Sequence, residues 1–127
     1  MSVPRISKEE LKERLDIWHD GGAAGPLILD ARLKYPYEHS TVTLPGAVRV
    51  SAPDFNISNL PRDRDIVTYD SDPQEIVSAP LAAKLIRLGY RARALKGGIE
   101  DWLAAKFPTN PKDAPKQKPP KAGSLKG

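Results

Sequence analysis

Carboxylates are the residues of this sequence best spaced for chemistry. The apolar run Ile66-Val67-Thr68-Tyr69 leads into Asp70-Ser71-Asp72-Pro73-Gln74-Glu75, three acids in six positions. Carboxylates gathered this closely after an apolar strand can act as nucleophile, as acid/base or as cation ligands, and the spacing does not choose among these. Asp70, Asp72 and Glu75 could also hold a hard cation such as Mg²⁺ or Ca²⁺, though weakly, with so few ligands on an exposed loop. Neither a metal nor a cofactor is expected.

Composition excludes several other chemistries. The 127 residues include no cysteine, which removes disulfides, thiolate metal sites and every cysteine-nucleophile mechanism together. The two histidines, His19 and His39, are too isolated for a metal site, and His19 reads as a helix-end residue where a cation suits the dipole. Neither a Gly-x-Ser-x-Gly elbow nor a glycine-rich phosphate loop is present.

The elements that must position the acids follow from periodicity. Asp72, Pro73 and Glu75 suit the N-cap, N1 and N3 positions of a helix, so Asp72 is expected to cap a helix over about 73–88. Val77, Leu81, Leu85 and Leu88 would share one face, with Gly89 as the stop. Pro80 conflicts with a straight helix there: either the helix kinks, or its regular part begins near Ser78. Upstream, Ser7-Lys8-Glu9-Glu10 is a capping box with Ile6 and Leu11 as its staple, and Leu11, Leu15 and Trp18 repeat at helical spacing until Gly21-Gly22. Segments 27–29, 47–50, 66–69 and 91–95 read as strands, and 99–105 as a last helix. Trp18 and Trp102 read as core. Tyr35 and Tyr37, beside Pro36, read as loop packing that could edge a binding surface. Strands alternating with helices imply an α/β fold, a mostly parallel sheet covered on both faces.

Charge sorts by region. Of twenty Lys+Arg and sixteen Asp+Glu, five lysines and one acid lie from 108 onward, leaving fifteen of each sign before it. A neutral body with a basic end is not the footprint of a nucleic-acid-binding fold. The end is rich in proline and lysine and lacks aromatics, so 1–108 is expected to form the domain and 109–127 a disordered tail or linker. A docking role for the tail toward an acidic partner is a sharper alternative. No apolar run reaches the roughly 20 residues of a membrane span, and the first fifteen residues lack a signal-peptide core. A cytoplasmic protein with no membrane partner is expected.

Four segments, in order, resemble the rhodanese-like family. Leu29-Asp30-Ala31-Arg32 is similar to its strand ending in Asp-x-Arg, and Leu44-Pro45-Gly46-Ala47 to its Ile-Pro-Gly-Ala turn. Ile66-Val67-Thr68-Tyr69 is similar to the strand entering the active-site loop, and Leu95-Lys96-Gly97-Gly98-Ile99-Glu100-Asp101-Trp102 to the closing Leu-x-Gly-Gly-Ile-x-x-Trp motif. The resemblance spans about 4–108. It implies a three-layer sandwich with a central sheet of about five strands, and Asp30 and Arg32 as a structural pair supporting the loop. The chain departs from the pattern in three places. The stretch between Arg32 and Pro45 is about two residues longer and lacks the usual Gly-His, and Lys106 stands where glycine is usual. Most seriously, Asp70 and Asp72 occupy positions where a family subgroup reads Tyr-Cys-x-Cys-Pro-x-Glu.

In working relatives the loop wraps a thiolate in backbone N–H groups beside a helix N-terminus, which lowers its pKa and holds the anionic persulfide. A carboxylate is a weak nucleophile toward sulfur, and Asp70 would repel an anion about 4 Å away by roughly 1–4 kcal/mol. Glu75 adds a second negative charge where many active members carry a cation. The resemblance therefore implies a non-catalytic rhodanese homology domain that binds a protein or small-anion partner. Asp70, Ser71, Asp72, Pro73, Gln74 and Glu75 form its active-site-like loop, and Asp70 fills the anion cradle or simply belongs to a helix start. The alternatives are residual or altered sulfurtransferase activity, or a carboxylate-based hydrolase. For the latter, Asp-x-Asp also resembles the first motif of haloacid-dehalogenase-type phosphatases. Partner identity and oligomeric state are open.

Overall fold

The strands of the sheet alternate their side chains between two separate cores. The computed structural model describes residues 3–19, 25–50, 60, 62–71 and 74–112, with only the backbone of 17–19. In chain order the elements are β1 (Arg5–Ile6), α1 (Lys8–His19), β2 (Leu27–Asp30), α2 (Lys34–His39), β3 (Val42–Thr43), β4 (Val48–Arg49), β5 (Asp65–Tyr69), α3 (Ser78–Arg87), β6 (Arg91–Leu95), α4 (Gly98–Ala104) and β7 (Asn110–Pro111). Five strands pair in parallel in the order β1-β6-β5-β2-β4. Ile28, Val67, Tyr69 and Leu95 pack on one side with Leu11 and Leu15 of α1 and Ile99 and Trp102 of α4. Leu29, Ile66 and Ala92 pack on the other with Ala82 and Leu85 of α3. This is the three-layer α/β sandwich expected, and the period-2 alternation of apolar residues on both faces is what a parallel sheet needs.

Local chemistry starts and stops the helices. The Ser7 hydroxyl accepts the Glu10 N–H at 3.1 Å, but the Glu10 carboxylate turns outward to Arg14 and Arg93, so half of the expected capping box forms. Ile6 and Leu11 are both fully buried, as a staple requires. Helix α3 begins at Ser78, with Pro80 in its first turn where it breaks no helical hydrogen bond. Its buried face is Ser78, Ala82 and Leu85, and Leu88 is exposed, unlike the face expected from the longer helix. Gly89 ends it at φ +96°, with its N–H and that of Tyr90 donating to Ile86 and Leu85. Trp102 is fully buried, packs edge-to-face on Phe107 at 5.2 Å and donates its indole N–H to the Pro108 carbonyl.

The body extends past 108. β7 pairs antiparallel with β3, the Lys112 N–H donates to the Thr41 carbonyl at 2.8 Å, and its ammonium caps the carbonyls at the end of α2. The expected boundary at 108 is therefore corrected to at least 112; the rest of the expected tail, 113–127, lies outside the described residues. Pro111 is compatible with a two-residue strand because β3–β7 is an isolated ribbon in which it need not donate. The extra length between Arg32 and Pro45 holds α2, and Lys106 adopts φ +60°, the left-handed conformation for which relatives with glycine are better suited. The side chains of Trp18 and His19 lie outside the described residues. No described helix is long and apolar enough to cross a membrane.

Candidate functional site

The loop after β5 lies at the carboxyl end of the central strand, where two helices begin beside it. The Asp70 carbonyl accepts the Ile99 N–H at 2.9 Å and the Ser71 carbonyl accepts that of Glu100 at 3.2 Å, which ties the loop to the start of α4. Gly97, just before α4, sits at φ +85°, a left-handed conformation suited to glycine, and a Cβ there would strike the Asp101 side chain. On the other side, one carboxylate oxygen of Asp70, Oδ2, accepts the N–H groups of Val77 and Ser78 at 2.9 and 2.7 Å. Those are donors of the first turn of α3, which have no partner within the helix. Asp70 is 2% exposed and caps α3 from seven residues upstream. Thr68, two positions earlier on the same face, donates its hydroxyl to the Ser78 carbonyl at 2.8 Å and fixes the same turn.

Glu75 is not at N3 of a helix as expected. It precedes α3, adopts φ +56°, and turns its buried carboxylate to the guanidinium of Arg5 on edge strand β1, 2.7 Å away. A left-handed glutamate is strained, and this ion pair holds it there. Asp72 and Pro73, and with them the expected Asp72 cap, lie outside the described residues. Ser71 is half-buried and Gln74 exposed. Among the described residues no group of three acidic or histidine side chains could hold a metal.

Asp30 and Arg32 stand at the end of the neighbouring strand. Asp30 is in register with Tyr69, and the Ala31 N–H donates to the Tyr69 carbonyl. The guanidinium meets both carboxylate oxygens, with Nη2 to Oδ2 at 2.7 Å and Nε to Oδ1 at 3.0 Å, and both residues are almost fully buried. Burial acts to lower the Arg32 pKa, but hydrogen bonding to Asp30 carries it above the ordinary value. Burial, together with the adjacent Asp30 charge, holds the Tyr69 phenol well above its ordinary value. Its oxygen accepts the Leu44 N–H, which links the Leu-Pro-Gly-Ala turn to the loop-bearing strand.

Sequence reasoning missed five participants. The amides of Val77 and Ser78 are backbone groups with no residue signature, and Arg5 lies seventy positions from Glu75. Tyr37, expected as loop packing, lies on α2 under three cations: Arg49 at 4.1 Å, Lys112 at 4.4 Å and Arg32 at 5.3 Å from its ring. Arg49 also donates to the carbonyls of Asp30 and Arg32, joining β4 to the pair. Its place at the end of an edge strand was the signal available.

The rhodanese-like domain family matches residues 7–105. The chain belongs to that family. No curated protein matches it. Among solved structures, this rhodanese-like chain is similar to a protein from Bacillus halodurans, at 24% identity and a TM-score of 0.68, over 86% of this chain and 77% of that one. A rhodanese-related protein from Thermoplasma volcanium superposes with a TM-score of 0.65 at 17% identity, covering 84% of this chain and 96% of the other. A thiosulfate sulfurtransferase from Pseudomonas aeruginosa matches at 19% identity and a TM-score of 0.65, over 88% of this chain and 20% of that longer protein. These likenesses are of fold.

Proposed function

We propose that this rhodanese-like domain is non-catalytic and acts in the cytoplasm by binding, as a regulatory or scaffolding module. The observation that carries the reading is the Asp70 carboxylate, which accepts the Val77 and Ser78 amides at 2.9 and 2.7 Å. Asp70 stands where the family resemblance puts the sulfur-carrying nucleophile, and it takes for itself donors that could otherwise face a thiolate or substrate anion. The chain offers no cysteine anywhere to replace it. The same arrangement argues against a carboxylate-based hydrolase: the carboxylate is buried and one oxygen is engaged twice, which stabilises its charge and blunts it as a nucleophile. Purified protein with thiosulfate and cyanide is expected to form thiocyanate no faster than buffer. Turnover that scales with protein and survives repurification would overturn the reading.

A further inference from the structure

Beside the Asp70 loop, a cleft of about 560 Å³ is bounded by the ends of β2 and β4, helix α2 and the start of α3. That volume falls within the ~300–1,000 Å³ of small-molecule sites. Its lining divides chemically. Arg32, Lys34, Arg49 and the ring of Tyr37 contribute positive charge and an aromatic surface, while Val50, Val77 and Leu81 contribute apolar surface. Among the described residues the charge is not balanced locally. Asp30 is shared by Arg32 at 2.7 Å and Arg49 at 3.8 Å, Lys112 adds a further cation at the Tyr37 ring, and Lys34 has no ion-pair partner among the described residues. Among the described lining residues Glu38 is the one acid; with it the described groups leave a net positive field, and it disfavours a highly charged anion.

We infer that this cleft binds a small organic monoanion, a carboxylate carried on an apolar body. Its carboxylate would face Lys34 and Arg49, with charge-assisted hydrogen bonds as the orienting contacts, and its body would cover Val50, Val77 and Leu81. The inference rests on the binding-module reading and moves the ligand off the loop. The loop's amides already serve Asp70, and the open positive charge lies next door.

The test is an amide-resolved NMR titration with 4-phenylbutyrate as the probe, with acetate and neutral 4-phenylbutyramide as controls. Saturable shifts are expected at Lys34, Arg49, Val50 and Leu81, with a dissociation constant of about 1 mM or tighter, and both controls weaker by about tenfold or more. Lys34→Gln, a change at an exposed side chain that leaves the fold intact, should weaken the probe by about threefold to tenfold. Arg49→Gln should weaken it further. Shifts of equal size with the amide or with acetate, no saturation, or an unchanged affinity in Lys34→Gln would overturn the inference. So would shifts confined to Asp70, Ser71 and Glu75, which would leave the binding-module reading standing. Thiocyanate formation by the same preparation would overturn that reading whatever the probe does.

Discussion

Two aspartates close neighbouring strands of one sheet, and the molecule buries them by different means. Asp30, at the end of β2, is 1% exposed and held by the guanidinium of Arg32. Asp70, just after β5, is 2% exposed and held by two backbone amides at the start of α3. The first is a charge pair made within three residues of chain. The second is a charge against the positive end of a helix, with donors that are present whatever side chain occupies position 70. The first arrangement has both partners committed to each other. The second uses a cradle whose donors could serve another anion, so the question of sulfur chemistry concentrates at Asp70.

The largest effect should come from breaking the side-chain pair. Arg32→Ala leaves the Asp30 carboxylate buried without its bidentate partner, and Arg49 at 3.8 Å is too distant to replace it. A loss of about 3–5 kcal/mol is expected in urea unfolding, the usual result of stranding one member of a buried pair. A loss under about 1 kcal/mol would show that Arg49 swings in, and the two aspartates would then be less different than their geometry makes them.

Removing the second carboxylate should cost less. Asp70→Ala strands two amides and also removes the bonds that cap α3, so about 2–4 kcal/mol is expected. Asp70→Asn keeps an acceptor of the same shape and should cost about 1 kcal/mol, the difference between a charged and a neutral acceptor. If the amide variant proves as damaging as alanine, the charge rather than the hydrogen bonding holds the turn. If both are neutral, α3 needs no cap and the cradle reading loses its support.

Legibility followed the same division. Partners close in sequence could be read. The pairing of Asp30 with Arg32 and the sheet of about five strands follow from the family resemblance, and the strand at 91–95, the closing helix with buried Trp102 and the mostly parallel pairing follow from periodicity and turn glycines. Partners set by tertiary structure could not. Pro73 and Glu75 looked like a helix start, but tertiary pairing with Arg5 draws Glu75 into a left-handed turn and α3 starts later. The two-residue strands β1, β3 and β7 are too short to carry a period; long-range pairing alone defines them. Lys112 was counted with the charged tail because composition does not reveal that its ammonium caps α2.

The smallest expected effect is the most informative about ancestry. Asp70→Cys would place a thiol near the amides of Val77 and Ser78, at the first turn of α3. Those donors lower a thiol pKa from its ordinary value near 8.5. A shorter side chain than aspartate reaches them less well, and Glu75 opposes the thiolate as a second negative charge. Arg5, however, sits 2.7 Å from Glu75 and offsets most of that repulsion. The net shift should be downward by less than about one pKa unit, under about 1.4 kcal/mol. Iodoacetamide alkylation followed against pH should then run a few-fold faster at neutral pH than for an exposed control cysteine, and thiosulfate treatment should leave some cyanide-labile sulfur. Adding Arg5→Gln exposes the Glu75 charge and should slow the alkylation again, while Glu75→Gln should speed it. A thiol no faster than the control, and indifferent to both changes at the Arg5–Glu75 pair, would mean the amides turn away once the carboxylate is gone. The cradle would then be built by Asp70 itself, and the two aspartates would both be purely architectural.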